Sequence, residues 1–111
     1  MNSIKDARHL YTAERQAYHL ERPGFRINEL TLTPSQEVPW HCHNTVRDTF
    51  YVLEGRLRIF LRDPEEEAQL DPGDSHAVEP GRPHRVTNGA DAPVTFLVLQ
   101  GIGEYDYAPL A

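Results

Sequence analysis

The chain is 111 residues long, enough for one domain, with 11 Lys and Arg against 17 Asp and Glu and a formal net charge of −6. Apolar residues make up 39% and charged residues 25%, the composition of an ordinary soluble globule with a core. The acidic balance argues against nucleic acid or an anionic membrane as partner, since both need clustered Lys and Arg. Cys42 is the one cysteine, so no intrachain disulfide can form and the fold does not depend on an oxidising compartment. The opening MNSIKDARHL has no apolar secretory core, and the longest strongly apolar run, from Thr95 to Leu99, is too short to span a bilayer. A cytoplasmic single domain over 1–111 is expected.

In chain order, residues 5–20 have a faint helical flavour without a cap or an apolar stripe, and 1–22 is expected to be an N-terminal arm. Strands are expected at about 25–33, 38–43, 48–53, 56–62, 67–70, 75–79, 84–88 and 94–101. Glu54-Gly55 lies between two of them and reads as a tight hairpin turn. DPEE at 63–66, DPGD at 71–74, EPGRP at 79–83 and NGADAP at 88–93 supply further turns. In 56–62, Leu57, Ile59 and Leu61 alternate with Arg56, Arg58 and Arg62, the period-two pattern of a half-buried strand. The fold class is therefore all-β, a small antiparallel barrel or sandwich. Thr49-Phe50-Tyr51-Val52-Leu53 and Thr95-Phe96-Leu97-Val98-Leu99 break the alternation and are apolar on both faces. One such face is expected to be covered by a second copy of the chain, in a homodimer, or by the N-terminal arm.

Of six histidines, His41 and His43 form an HxH pair. Residues i and i+2 of a strand project from one face, so both imidazoles can reach one ion while Cys42 points away. Asp48 opens a strand whose next members of the same parity are Phe50 and Val52, a core-facing place for a carboxylate, and a buried carboxylate needs a cation. His84 follows EPGRP and shares a face with Val86 and Asn88.

These residues carry a resemblance. His41-x-His43-x4-Asp48-x6-Gly55, over 41–55, resembles the first cupin motif, and Gly73-x7-Gly81-x2-His84-x3-Asn88, over 73–88, resembles the second. The resemblance implies a small β-barrel of the double-stranded β-helix or jelly-roll type. It also implies one divalent transition metal held by His41, His43, Asp48 and His84. Asp48 stands where most members have Glu, one methylene longer, so it must sit closer to the ion or act through water. Ser35 replaces the opening glycine of the first motif, and the second motif's proline is displaced by one, giving Glu79-Pro80-Gly81. Three imidazoles and a carboxylate suit Fe, Mn, Ni, Co, Zn or Cu, and ligand type does not choose among them.

Around that centre, His76 is a candidate general base if its strand turns it inward. Gln100, on a face with Phe96 and Val98, is placed to donate to a substrate oxygen. Trp40, Arg47 and Arg85 have the opposite parity to their neighbouring ligands and read as rim or surface residues. Glu104-Tyr105-Asp106-Tyr107 reads as surface packing, with closure of the barrel mouth as the other possibility. The function implied is a mononuclear metalloenzyme acting on a small oxygen-chelating molecule, of dioxygenase, isomerase or lyase type. The alternative is a non-catalytic small-molecule or metal-binding sensor module.

Overall fold

A computed structural model describes residues 10–111. Ten strands run as β1 (Arg15–Arg22), β2 (Phe25–Leu32), β3 (Glu37–Cys42), β4 (Arg47–Glu54), β5 (Leu57–Leu61), β6 (Glu66–Leu70), β7 (Ser75–Val78), β8 (His84–Asn88), β9 (Val94–Gly101) and β10 (Ala108–Pro109). They form two five-stranded sheets, ordered β1-β2-β9-β4-β7 and β10-β3-β8-β5-β6, and the paired strands are antiparallel. The all-β jelly roll expected from the sequence is the fold observed. Among the described residues, no helix is long and apolar enough to cross a membrane.

The alternation in the sequence sets which side chains meet between the sheets. In β9, Val94, Phe96, Val98 and Gln100 are buried while Thr95, Leu97, Leu99 and Gly101 are only half-covered. β5 inserts Leu57, Ile59 and Leu61 from the opposite sheet, and Val86 of β8 and Val38 of β3 complete that wall. On the outer face of the first sheet Tyr51 and Leu53 remain 43% and 46% exposed. In both runs the inward side chains are the fully buried ones, while on the outer face Tyr51 and Leu53 are exposed and Leu97 and Leu99 half-covered.

Two local expectations are corrected. Residues 15–22 are neither helical nor an arm: they are β1, an edge strand paired with β2 from Arg15↔Thr31 to Arg22↔Phe25. A register shift between Tyr18 and Leu20 interrupts the pairing, and such a bulge breaks the period-two pattern that marks a strand in sequence. The earlier part of the expected helical stretch, 5–9, lies outside the described residues. Glu54-Gly55 is not a hairpin turn, because β4 and β5 lie in different sheets. The chain there turns a corner between sheets, with Gly55 at φ +82°; a Cβ on it would come within 2.6 Å of the Pro93 carbonyl oxygen. The hairpin partner of β5 is β6, joined from Leu61↔Glu66 across residues 62–65.

Register fixes what faces what at one end of the barrel. His41 of β3 lies opposite His84 of β8, and Asp48 of β4 lies opposite Gln100 of β9. The β3–β8 ladder shifts register between Val38 and His41, and a bulge of this kind re-aims the side chain that follows it.

Candidate metal centre

His41 lies near the end of β3, His43 follows that strand directly, Asp48 lies near the start of β4 on the other sheet, and His84 opens β8. All four are buried, at 1–3% exposure, and offer donor atoms that lie within 4.8 Å of one another. Each imidazole is oriented through its other nitrogen. Nδ1 of His41 donates to the Pro39 carbonyl at 2.7 Å, Nδ1 of His84 to the Arg82 carbonyl at 2.9 Å, and Nδ1 of His43 to the Asp106 carbonyl. A carbonyl only accepts, so each Nδ1 carries a proton and a neutral ring presents its Nε2 lone pair to the centre. Three such lone pairs beside a carboxylate are the arrangement that a cation completes.

Nε2 of His43 and of His84 lie 2.9 and 3.1 Å from Oδ2 of Asp48. The His43 contact is close but poorly directed, which leaves this buried nitrogen without a hydrogen bond. That orphaned donor atom, with the three fixed tautomers, fits a metal ion. The electrostatics agree. Burial disfavours charge on Asp48, yet His43 and His84 hold its carboxyl well below the usual carboxylate range. Burial likewise opposes charge on His43, but the Asp48 carboxylate and then the Asp106 carbonyl outweigh it and raise its pKa. His41 is pushed well down by burial, and further by His84 and His43. Without an ion, His43, His84 and Gln100 face the Asp48 carboxylate, and a bound metal would take the place of the two histidine contacts.

Beside three of the four donors, His41, His43 and Asp48, is a cavity of about 30 Å³. Its walls include Leu30, Val38, Phe50, Val86 and Val98, and its roof is Tyr11, Tyr105 and Tyr107. Tyr107 stacks on His41 with centroids 4.4 Å apart and planes at 11°, and Tyr105 lies 5.3 Å from His43. Burial raises the pKa of all three tyrosines, so they are protonated donors near neutral pH.

Several residues sit differently from expectation. Gln100 does face inward, but its amide donates to Oδ1 of Asp48 at 3.0 Å and accepts from Nδ2 of Asn28 at 3.2 Å. It thus orients the carboxylate, and one Asp48 oxygen is committed to that bond. His76 lies on β7 opposite Phe50; it is not among the residues lining the cavity, and its buried Nε2 has no hydrogen-bond partner. Trp40 lies under the Arg62 guanidinium at 3.8 Å, beside a surface groove with Phe60 and residues 61–67. Arg85 pairs with Glu37, and Arg47 with Glu79. The 104–107 segment is not surface packing: Asp106 and Tyr107 are buried at the centre. Asp106 reaches His43 through its main chain, which leaves no side-chain signature; an acid between two tyrosines was the available hint. Tyr11, Asn28 and Asn44 carried no signal of their own.

Comparison with known proteins agrees with this geometry. The family model described as a cupin domain matches residues 28–100. No curated protein matches. Among solved structures, a Thermus thermophilus protein is 30% identical at TM-score 0.72, over 90% of this chain and 97% of that one. A Klebsiella pneumoniae protein described as having a double-stranded β-helix domain is 23% identical at TM-score 0.76, over 86% of this chain and 77% of that one. A Lactobacillus farciminis oxalate decarboxylase, solved as a formate complex, is 17% identical at TM-score 0.70, over 78% of this chain but only 27% of that one.

Proposed function

The chain belongs to the cupin family, and from that premise we propose that it binds one divalent transition metal through Nε2 of His41, His43 and His84 and a carboxylate oxygen of Asp48. The single observation that carries this reading is the set of three Nδ1–H bonds to backbone carbonyls, which aim three imidazole lone pairs at one buried carboxylate. Bound there, the ion would supply Lewis acidity toward an oxygen ligand. The chain's own residues contribute the rest. Gln100 holds Asp48 in place, apolar side chains line the rest of the cavity wall, and the tyrosine hydroxyls stay protonated as hydrogen-bond donors.

We read the protein as an enzyme acting on a small oxygen-chelating molecule, of dioxygenase, isomerase or lyase type. The similar oxalate decarboxylase fold supports such chemistry by analogy alone. His76 remains our candidate base only if its strand shifts to bring it to the cavity. The test is turnover of small hydroxy-, oxo- and dicarboxylic acids by chelator-stripped and metal-reloaded protein. Turnover lost on stripping and restored by one metal is expected; turnover indifferent to chelation would sink the mechanism. A non-catalytic metal-binding or sensor module is the second reading, favoured by how little space the cavity offers. Binding of small acids to loaded protein with no turnover of any of them would decide for it.

We further propose a cytoplasmic homodimer formed through the outer face of the β1-β2-β9-β4-β7 sheet, where Tyr51, Leu53, Leu97 and Leu99 leave apolar surface uncovered. Light scattering at micromolar concentration should return twice the 12.7 kDa chain mass, and a monomer would refute the dimer.

A further inference from the structure

We propose that Asp106 is a positioning residue that couples closure of the barrel mouth to the grip of His43 on its metal, so that the 104–107 segment acts as a latch on the centre. The inference rests on the metal-binding reading above.

After β9, which ends at Gly101, the chain passes Ile102-Gly103, crosses the end of the barrel as 104–107, and joins the edge of β3 as β10, with Ala108 opposite Cys42 and Pro109 opposite His41. Asp106 is 5% exposed, and among its interactions are three hydrogen bonds to residues 43 and 44. Its Oδ1 accepts from the Asn44 backbone N–H at 2.9 Å, its Oδ2 from the Asn44 amide at 2.6 Å, and its carbonyl from Nδ1 of His43. One residue therefore pins the segment to the loop that leaves the HxH pair and also sets the tautomer of one ligand. The tyrosines on either side of it are placed by the same anchor, Tyr107 flat on His41 and Tyr105 against His43.

The space enclosed by this arrangement decides the consequence. A cavity of about 30 Å³ has room for one or two waters, whereas pockets for organic ligands run from roughly 300 Å³ upward. Entry of an organic molecule requires the tyrosine roof to move, and displacing 104–107 breaks the Asp106–His43 bond. Gly101 is still paired with Phe25 and Arg47 at the end of β9, so the displacement would be taken up after it, from Ile102, which is 88% exposed, onward. Admission of a ligand and retention of the metal are then linked, and linkage is reciprocal: metal loading should close the segment by the factor that closure tightens the metal.

The test uses the full chain loaded with zinc. Two quantities are read: the rate of zinc release to excess chelator, and hydrogen exchange of the 104–108 amides with and without zinc. In wild type, zinc should slow exchange at 104–108. Asp106→Ala, which keeps all four metal ligands, should release zinc about 10–100-fold faster and exchange faster at 104–108 while β9 is unchanged. Asp106→Asn, retaining an acceptor oxygen, should fall between. If Asp106→Ala does not fold, Asn44→Ala cuts only the amide bond and should give the same changes on a smaller scale. Release at the wild-type rate, or exchange at 104–108 indifferent to zinc, overturns the latch while leaving the centre intact. A wild-type chain that takes up no zinc or other divalent metal removes the metal reading itself, and the latch with it.

Discussion

Asp48→Ala is expected to cost more metal affinity than the roughly 10–100-fold typical of losing an outer hydrogen-bond partner, measured by competition with a chromophoric chelator. Asp48 is the one acid in the four-residue cluster and is 2% exposed. With it removed, three imidazoles would face a doubly charged ion in a buried site with no carboxylate to neutralise it. The variant also leaves the Gln100 amide, which donates to Oδ1 at 3.0 Å, without its acceptor. An unsatisfied buried donor costs about 1–3 kcal/mol, so the metal-free variant should unfold at lower denaturant than metal-free wild type. Asp48→Asn separates the two effects, since it keeps the shape and an acceptor oxygen but not the charge. It should lose most of the metal affinity, and because it keeps the Gln100 bond its metal-free stability should lie between those of wild type and Asp48→Ala. Equal metal affinity in wild type and Asp48→Ala would show that the carboxylate is no ligand.

Phe96→Ala should produce the largest loss of stability away from the centre. Phe96 is fully buried on β9, the middle strand of its sheet, opposite Leu30 on one side and Val52 on the other. Its ring packs 6.0 Å from that of Phe50, which in turn lies 6.0 Å from His84. Truncating a buried Phe costs about 3–5 kcal/mol, and an aromatic pair about 0.5–1.5 kcal/mol beyond its area. Against a total of roughly 5–15 kcal/mol for a domain of this kind, the variant should be marginal at 37 °C. Urea unfolding followed by circular dichroism reads the change, and Phe96→Leu should recover more than half of it. A midpoint equal to wild type would mean that the barrel interior is not packed around this ring.

The parts of the fold that were legible in the sequence are those written in side-chain parity and spacing. The strand of 56–62 alternates cleanly, and the HxH pair, Asp48 and His84 lie at intervals that two motifs fix together. Their convergence within 4.8 Å takes the pairing of β3 with β8 and the packing of β4 from the other sheet; the resemblance implied the ligand set, and residue parity alone did not. β1 was missed because its bulge between Tyr18 and Leu20 resets the parity. Glu54-Gly55 was misread for a different reason: two adjacent strands with a glycine between them look the same whether they pair or part into separate sheets. The roof stood only as the second possibility for 104–107 because what pins it is a backbone carbonyl, together with a carboxylate 62 residues from its partner Asn44. Gln100 was assigned the correct face and the wrong acceptor, since parity gives direction but not which oxygen an amide will meet.

The most direct test of the account is the metal content of untagged protein purified without added metal, measured by plasma mass spectrometry beside His84→Ala. His84 is 1% exposed and ties its Nδ1 to the Arg82 carbonyl, so its loss removes one aimed donor while His41, His43 and Asp48 keep their bonds to Pro39, Asp106 and Gln100. The account predicts about one divalent transition metal per wild-type chain and a large loss in the variant. Wild-type protein holding less than about a tenth of an equivalent, even after reconstitution with each of Fe, Mn, Ni, Co, Zn and Cu, would contradict it.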